Sequence, residues 1–317
     1  MKDLDPTALD ALAALADEGS FERAAQRLLV TQSAISQRLR NLEAQIGQPL
    51  VVRSRPLRLT EPGKHLLRYA RQMQALRADV ARELGLDDGA RRAAEAPVRI
   101  AVNADSLATW VLPALDGLVQ GGLLVELVVD DQDFTHDWLR EGAVLGCVTT
   151  VREGLRGCEV RPLGVMHYVA VASPAFAARR LPKGLGAGNF SQVPFLVFNR
   201  KDDMQQLWVS AAFGVQQPRL QGRYVPSSEA YVRAAAMGWG IGVVPQLQAR
   251  PLIERGELVV LQPGTSVPVA LYWHEWRLAT QASPASAAPR AGALAQIGAA
   301  LADGAQQALA PLAPEAA

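Results

Sequence analysis

The residues best suited to chemistry fall into two groups. In the first, Gln32, Ser33, Ser36 and Gln37 stand beside Arg38 and Arg40, and further arginines follow at Arg53, Arg55 and Arg58. Amide and hydroxyl side chains offer donors and acceptors to base edges, while guanidinium groups meet phosphates. Residues 31–60 hold these five arginines against one acid, Glu43, a local charge of +4 in a chain whose net charge is only +1. Such an asymmetry is what the electrostatic footprint of a DNA-binding module requires, although a solvated basic helical bundle that binds nothing would show it too.

The second group sits at the carboxyl ends of strand-like segments, where helices begin. Asn103 ends VRIAVN, with Asp105 and Ser106 just after it; Phe198 lies near the end of PFLVFN, with Asp202 and Asp203 after it; and Ser227, Ser228 and Glu229 open a helix. Helix-start amides with Ser106 or Ser228 suit a carboxylate, and Asp105, Asp202, Asp203 or Glu229 suit an ammonium or guanidinium. A small zwitterion with a cationic side chain satisfies both. Ordinary helix capping, worth about 1 kcal/mol, accounts for the same residues without a ligand.

Catalytic and metal chemistry find no constellation. His136, His167 and His274 are scattered, no G-x-S-x-G elbow occurs, and Cys147 and Cys158 lack a histidine at metal-ligand spacing. The glycines at 238, 240 and 242 follow a helix and enter a strand, the reverse of a dinucleotide-binding turn. Neither an enzymatic role, a cofactor nor a metal is expected.

These groups require elements to hold them. A first amphipathic helix around Leu4 to Leu15 stops at Gly19; Thr31 caps a further helix whose stripe is Ile35, Leu39, Leu42 and Ile46, ended by Gly47. The short connection Leu28 to Val30, with Ala24 and Ala25 permitting close approach, predicts a helix-turn-helix. QPLVVRSRPLRLT reads as a two-stranded wing turning at Pro56. From Glu61 to about Leu84 runs a long helix with one narrow stripe of Leu66, Tyr69, Met73, Leu76 and Val80, which suits pairing with a second copy. Residues 85–96 are small and polar, as in a hinge. After Pro97 strands and helices alternate, which predicts two α/β lobes around a cleft. Beyond Thr280 an Ala/Pro-rich stretch precedes a helix near Ala291 to Leu301, and a disordered tail is expected over 302–317.

The amino terminus, MKDLDPTALD, carries acids where a secretory signal needs basic and apolar segments, and no run approaches the ~18 apolar residues of a membrane span. A cytoplasmic location with no membrane partner is expected.

The segment FERAAQRLLVTQSAISQRLRNLEAQIGQPLVVRSRPLRLTEPG resembles the winged helix of LysR-type transcriptional regulators along its whole length. The resemblance implies a homodimer or homotetramer built on the linker helix, double-stranded DNA carrying an inverted-repeat operator as partner, and an effector domain of periplasmic-binding-protein type. AVNADSLATWVLPAL, SSEAYVRAAAMG, VVPQLQ and LYWHEW are similar to the subfamily that regulates arginine and lysine export, the ArgP/LysG type. That likeness implies L-lysine or L-arginine as effector and an exporter gene as target. It also implies that the chain leaves the first lobe near Gly164 to His167 and returns near Val267 to Ala270. The expected architecture is therefore an α/β multidomain protein. A winged helix-turn-helix spans 1–60, a dimerisation helix 61–84, a hinge 85–96 and an effector domain 97–301. Lobe I of that domain covers about 97–164 and 268–301, and lobe II about 165–267. RNA polymerase is a further expected partner. Of two rivals, a solute-binding transport protein should carry a secretion signal and lack residues 1–84, and the sequence already tells against it; the second is an architectural or origin-binding protein that acts on DNA without a small effector, which the N-terminal module alone does not exclude.

Overall fold

The computed structural model describes residues 4–54, 57–84, 97–130, 135–277 and 292–312. Asp5 accepts from Thr7 N at 2.9 Å and so caps α1 (Pro6–Glu18), which ends at Gly19 with φ 60°. After α2 (Phe21–Arg27), Thr31 accepts from Ala34 N at 3.2 Å and caps α3 (Gln32–Ile46). Ala24 and Ala25 are buried, so α2 lies close against its neighbours, and Leu9, Leu12, Leu15, Ile35, Leu39, Leu42 and Leu50 fill the small core. Burying one such leucine stabilises the module by about 2 kcal/mol.

The wing follows as β1 (Val51–Val52) and β2 (Arg58–Leu59), antiparallel with Val51 opposite Leu59. Arg55 and Pro56, placed by the sequence at its tip, lie outside the described residues. Thr60 caps α4 (Glu61–Glu83) through Gly63 N at 3.1 Å. Gly63 touches the wing so closely that a Cβ there would stand 2.1 Å from Leu50 O, so the helix can start against the strand only with glycine. On α4, Leu67 and Ala70 are the buried apolar side chains and Arg71 is buried beside them; Leu66 and Tyr69 pack at the edge of the winged-helix core, Met73 and Leu76 are half-buried, and Val80 is exposed. The expected hinge, 85–96, lies outside the described residues.

The C-terminal domain is organised by one seven-stranded sheet. Its first strands are β3 (Val98–Asn103), β4 (Val125–Asp130) and β5 (Gly146–Thr149), with β4 and β5 each parallel to β3. Between β3 and β4 the chain forms a short helix at Ala104–Ser106, a π-helical stretch Leu107–Val111, and α5 (Leu112–Gln120). Thr135–Arg140 is α6.

Two long strands then join the lobes. β6 (Cys158–Ala172) and β11 (Val267–Trp276) run antiparallel from Val267 opposite Tyr168 to Trp276 opposite Cys158. Each passes through both lobes, so the sheet is continuous across the cleft. Lobe II is built from α7 (Pro174–Arg180), β7 (Pro194–Val197), α8 (Met204–Phe213), β8 (Gln221–Tyr224), α9 (Ser228–Ala236), β9 (Gly242–Pro245), α10 (Gln246–Glu254) and β10 (Val259–Val260). β9 and β10 pair with β6, and β7 with β8.

The carboxyl end corrects one expectation. The last helix, α11 (Ala293–Ala308), does not end near Leu301, and the chain is ordered beyond Ala302: Leu301 and Ala305 are fully buried, and Ala310 exchanges backbone hydrogen bonds with Val165 at 2.8 and 3.1 Å. Leu294, Ile297, Leu301 and Ala305 recur at three and four, so a single apolar stripe carries the helix past the alanine-rich composition. Lobe I therefore extends beyond residue 301. Residues 313–317 lie outside the described residues. Among the described residues no helix is long and apolar enough to cross a membrane.

Candidate functional site

On α3, Gln32, Ser33, Gln37 and Arg40 are exposed, and Ser36 and Arg38 are half-buried on the flank of the same helix. Arg40 donates to Gln37 Oε1 at 2.9 Å and Gln37 Nε2 to Asn41 Oδ1 at 2.8 Å, which orders one side of this polar face. Arg53 stacks its guanidinium 5.4 Å above the Phe21 ring, and Arg58 stands exposed on the second wing strand. Among the described residues, Arg38, Arg40, Arg53 and Arg58 have no carboxylate partner. Their charge remains free for an external anion.

The cleft between the lobes is lined by Asn103, Asp105, Tyr168, Phe198, Asp202, Gln205, Ser228, Tyr231 and Gln248, with Val243 to Pro245 at its floor. Asp105 begins the first helical turn after β3, and Ser228 begins α9 in the other lobe. Ser228 Oγ donates to Asp105 Oδ1 at 2.6 Å, and the Tyr168 hydroxyl to Asp105 Oδ2 at 2.7 Å. Burial pushes the Asp105 carboxyl above the usual carboxylate range, and the Asp202 charge pushes the same way; the two hydroxyl donors only partly offset this.

Asp202 has the opposite surroundings. It accepts from Phe198 N at 2.8 Å, from Met204 N at 3.1 Å and from Gln205 Nε2 at 2.8 Å, which locks the turn that starts α8. Gln205 Nε2 also reaches the Tyr231 hydroxyl at 3.2 Å, and that hydroxyl donates to Leu196 O at 2.7 Å. Among the described residues, the charged groups lining the cleft are thus two carboxylates, one from each lobe, with no base beside them. A cavity of this composition attracts a cation.

A third set of contacts ties the module to the domain. Asp17 on α1 accepts from Arg27 on α2 at 2.8 Å, Arg71 on α4 at 2.5 Å and Arg99 on β3 at 2.7 Å. Burial alone would raise the Asp17 carboxyl, but the three guanidinium groups outweigh it and hold the carboxyl below its usual range. Along the same helix, Lys64 meets Glu141 at 2.8 Å, Arg68 lies 4.5 Å above the Trp276 ring, and Asp79 accepts from Ala293 N at 3.0 Å, capping α11.

Residues 6–64 match the family model for the bacterial regulatory helix-turn-helix protein, lysR family, and residues 91–289 that for the LysR substrate binding domain. The chain belongs to the LysR family. Its members are DNA-binding transcriptional regulators and not enzymes. The chain is 43% identical to the HTH-type transcriptional regulator ArgP of Aeromonas salmonicida, over 88% of this chain and 92% of that one. It is 42% identical to LysG of Mycobacterium tuberculosis, over 87% and 88%. Among solved structures it resembles ArgP from Mycobacterium tuberculosis, with a TM-score of 0.79 at 37% identity over 98% of this chain and all of that one. It also resembles full-length LysG from Corynebacterium glutamicum with bound effector Arg, with a TM-score of 0.71 at 34% identity over 97% of this chain and 100% of that chain.

In this LysR-family chain the cleft gathers five of the nine residues expected from sequence: Asn103, Asp105, Phe198, Asp202 and Ser228. The other four are placed elsewhere. Ser106 is fully buried outside the cleft lining, and Asp203, Ser227 and Glu229 are exposed away from it. Ser227 instead caps α9 through Ala230 N at 3.4 Å. Tyr168, Gln205, Tyr231 and Gln248 line the cleft without having been expected. Helical spacing points to two of these, since Gln205 stands three residues after Asp202 and Tyr231 three after Ser228.

Proposed function

We propose that this LysR-type regulator senses a basic amino acid, L-lysine or L-arginine, in the cleft and thereby controls transcription of a gene for its export. The observation that carries the reading is the charge of the cleft lining, Asp105 from lobe I and Asp202 from lobe II, with no opposing base among the described residues. A side-chain cation placed between them neutralises both lobes at once. The α-carboxylate then meets neutral donors, among them the start of α9 at Ser228. The relative from Corynebacterium glutamicum, which holds arginine as effector, supports the same assignment.

The winged helix binds an inverted repeat as a homodimer or homotetramer paired through α4. In that complex Gln32, Ser33, Ser36 and Gln37 read bases, and Arg38, Arg40, Arg53, Arg55 and Arg58 hold phosphates. Because β3 carries Arg99 at one end and Asn103 at the other, closure of the cleft bears on the Asp17 junction and so on the angle of the winged helix. RNA polymerase is the downstream partner, and the protein works in the cytoplasm.

A thermal-shift series with L-arginine, L-lysine and L-alanine tests the effector. A ligand at about 100 times its Kd adds ~2.7 kcal/mol, so the basic amino acids should raise Tm and alanine should not. Equal response to all three, or to none, would remove the basic amino acid as effector and favour a DNA-binding protein without one.

A further inference from the structure

We infer that Gln205, with Asn103, makes the cleft selective for a guanidinium over a primary ammonium, so that L-arginine is the preferred effector; this rests on the basic amino acid reading above. The hydrogen of the Tyr231 hydroxyl is committed to Leu196 O at 2.7 Å. Its oxygen therefore accepts, from Val243 N at 3.3 Å and from Gln205 at 3.2 Å. Asp202 Oδ2, 2.8 Å from the same amide nitrogen, is likewise an acceptor. Two acceptors on one side fix the orientation of the Gln205 amide, with Nε2 toward them.

Gln205 Oε1 is consequently left over. Among the described residues it has no hydrogen-bond partner, and it is buried in a residue only 1% exposed that lines the cleft. Asn103, 3% exposed on the opposite lobe, presents a second buried and unpartnered oxygen, Oδ1. A native protein rarely leaves such acceptors unmet, so a donor from the ligand is the economical partner.

Beside them stands Asp105, whose two oxygens each already accept one hydroxyl and retain a lone pair. The side chains lining the cleft therefore carry four oxygen atoms with accepting capacity left over, on three residues: the Asp105 pair, Gln205 Oε1 and Asn103 Oδ1. An ammonium has three N–H donors on one nitrogen. A guanidinium has five, spread over three nitrogens in a plane, and can lay two on a carboxylate while reaching an amide oxygen on either side. Charge is the same for both ligands, so discrimination arises at the amide oxygens.

Calorimetric titration of the full-length protein with L-arginine, L-lysine and the neutral isostere L-citrulline separates these contributions. Wild type should bind L-arginine at least about tenfold more tightly than L-lysine, and citrulline weakly or not at all, since it keeps the shape and loses the charge. Gln205→Met should cost arginine about tenfold and lysine much less, narrowing the ratio. Asn103→Leu provides a second variant with the same expected narrowing should Gln205→Met fold poorly, and thermal melts report folding of both. Equal affinity of wild type for arginine and lysine, or an unchanged ratio in both variants, overturns the selectivity while leaving a basic amino acid effector in place. Failure of wild type to bind either basic amino acid overturns both readings.

Discussion

Ser228 Oγ, at the start of α9 in lobe II, donates to Asp105 Oδ1, in the short helix that follows β3 in lobe I, at 2.6 Å. This hydrogen bond joins the two walls of the cleft, and it ends on a carboxyl that burial holds above the usual carboxylate range. The group that closes the cleft is thus also a group whose charge depends on pH.

Raised in the native state, Asp105 binds its proton more tightly than in the unfolded chain, so its contribution to stability is present below the ordinary carboxylate pKa and lost as pH rises through the native one. A cationic effector needs the ionised form. Affinity for L-arginine should therefore rise with pH through the Asp105 titration, and binding should release a proton in that window. Titrations in buffers of different ionisation heat read the proton directly; a Kd independent of pH from about 4 to 8 would deny Asp105 this role.

Asp17 gives the opposite case. Its carboxyl is held below the usual range, so the stability it contributes is present above the ordinary carboxylate pKa and lost as pH falls through the depressed one. Asp17→Asn should destabilise the protein by about 3 kcal/mol in urea denaturation, because Arg71, 7% exposed, would keep its charge without a counter-ion. Pairing it with Arg71→Gln should recover part of the loss. A change below about 0.5 kcal/mol would mean that the junction between winged helix, linker helix and β3 is held by other contacts.

The DNA-facing residues divide by role. Gln32→Ala or Ser36→Ala should lower discrimination between specific and random DNA by about 1 to 3 kcal/mol, while Arg53→Ala or Arg58→Ala should weaken binding to both and flatten the salt dependence by about one unit of slope. Binding isotherms over a salt series distinguish these outcomes. Equal losses on both DNAs for Gln32 and Ser36 would reassign them to phosphates, and an unchanged slope would take the wing out of the interface.

How much of this was legible in the sequence depended on whether a residue's role was set by its neighbours in the chain. Thr31, Ile35, Leu39, Leu42 and Gly47 announce α3 because cap, stripe and stop all lie within one helix. Asp105 and Asp202 were legible as acids at helix starts after strands. Ser227 and Glu229 were not separable from Ser228, since consecutive helical positions differ by about 100° and only Ser228 is turned to the cleft. Spacing from Asp202 and Ser228 puts Gln205 and Tyr231 on the right helix faces, but the Tyr231 hydroxyl is oriented by Leu196 O and Val243 N and Gln205 in turn by Tyr231, contacts that only the fold brings together. The π-helical stretch Leu107–Val111 carries no sequence signal of its own. At the carboxyl end, alanine and proline content masked the stripe that reaches Ala305.

The most direct test of an acidic cleft that reads a basic amino acid is calorimetric titration of wild type and Asp105→Asn with L-arginine near neutral pH. The account predicts saturable binding to wild type and at least about a thirtyfold weaker Kd for the variant, the loss of one close charge pair in a desolvated site, about 2 kcal/mol. Binding of undiminished strength to Asp105→Asn would contradict it.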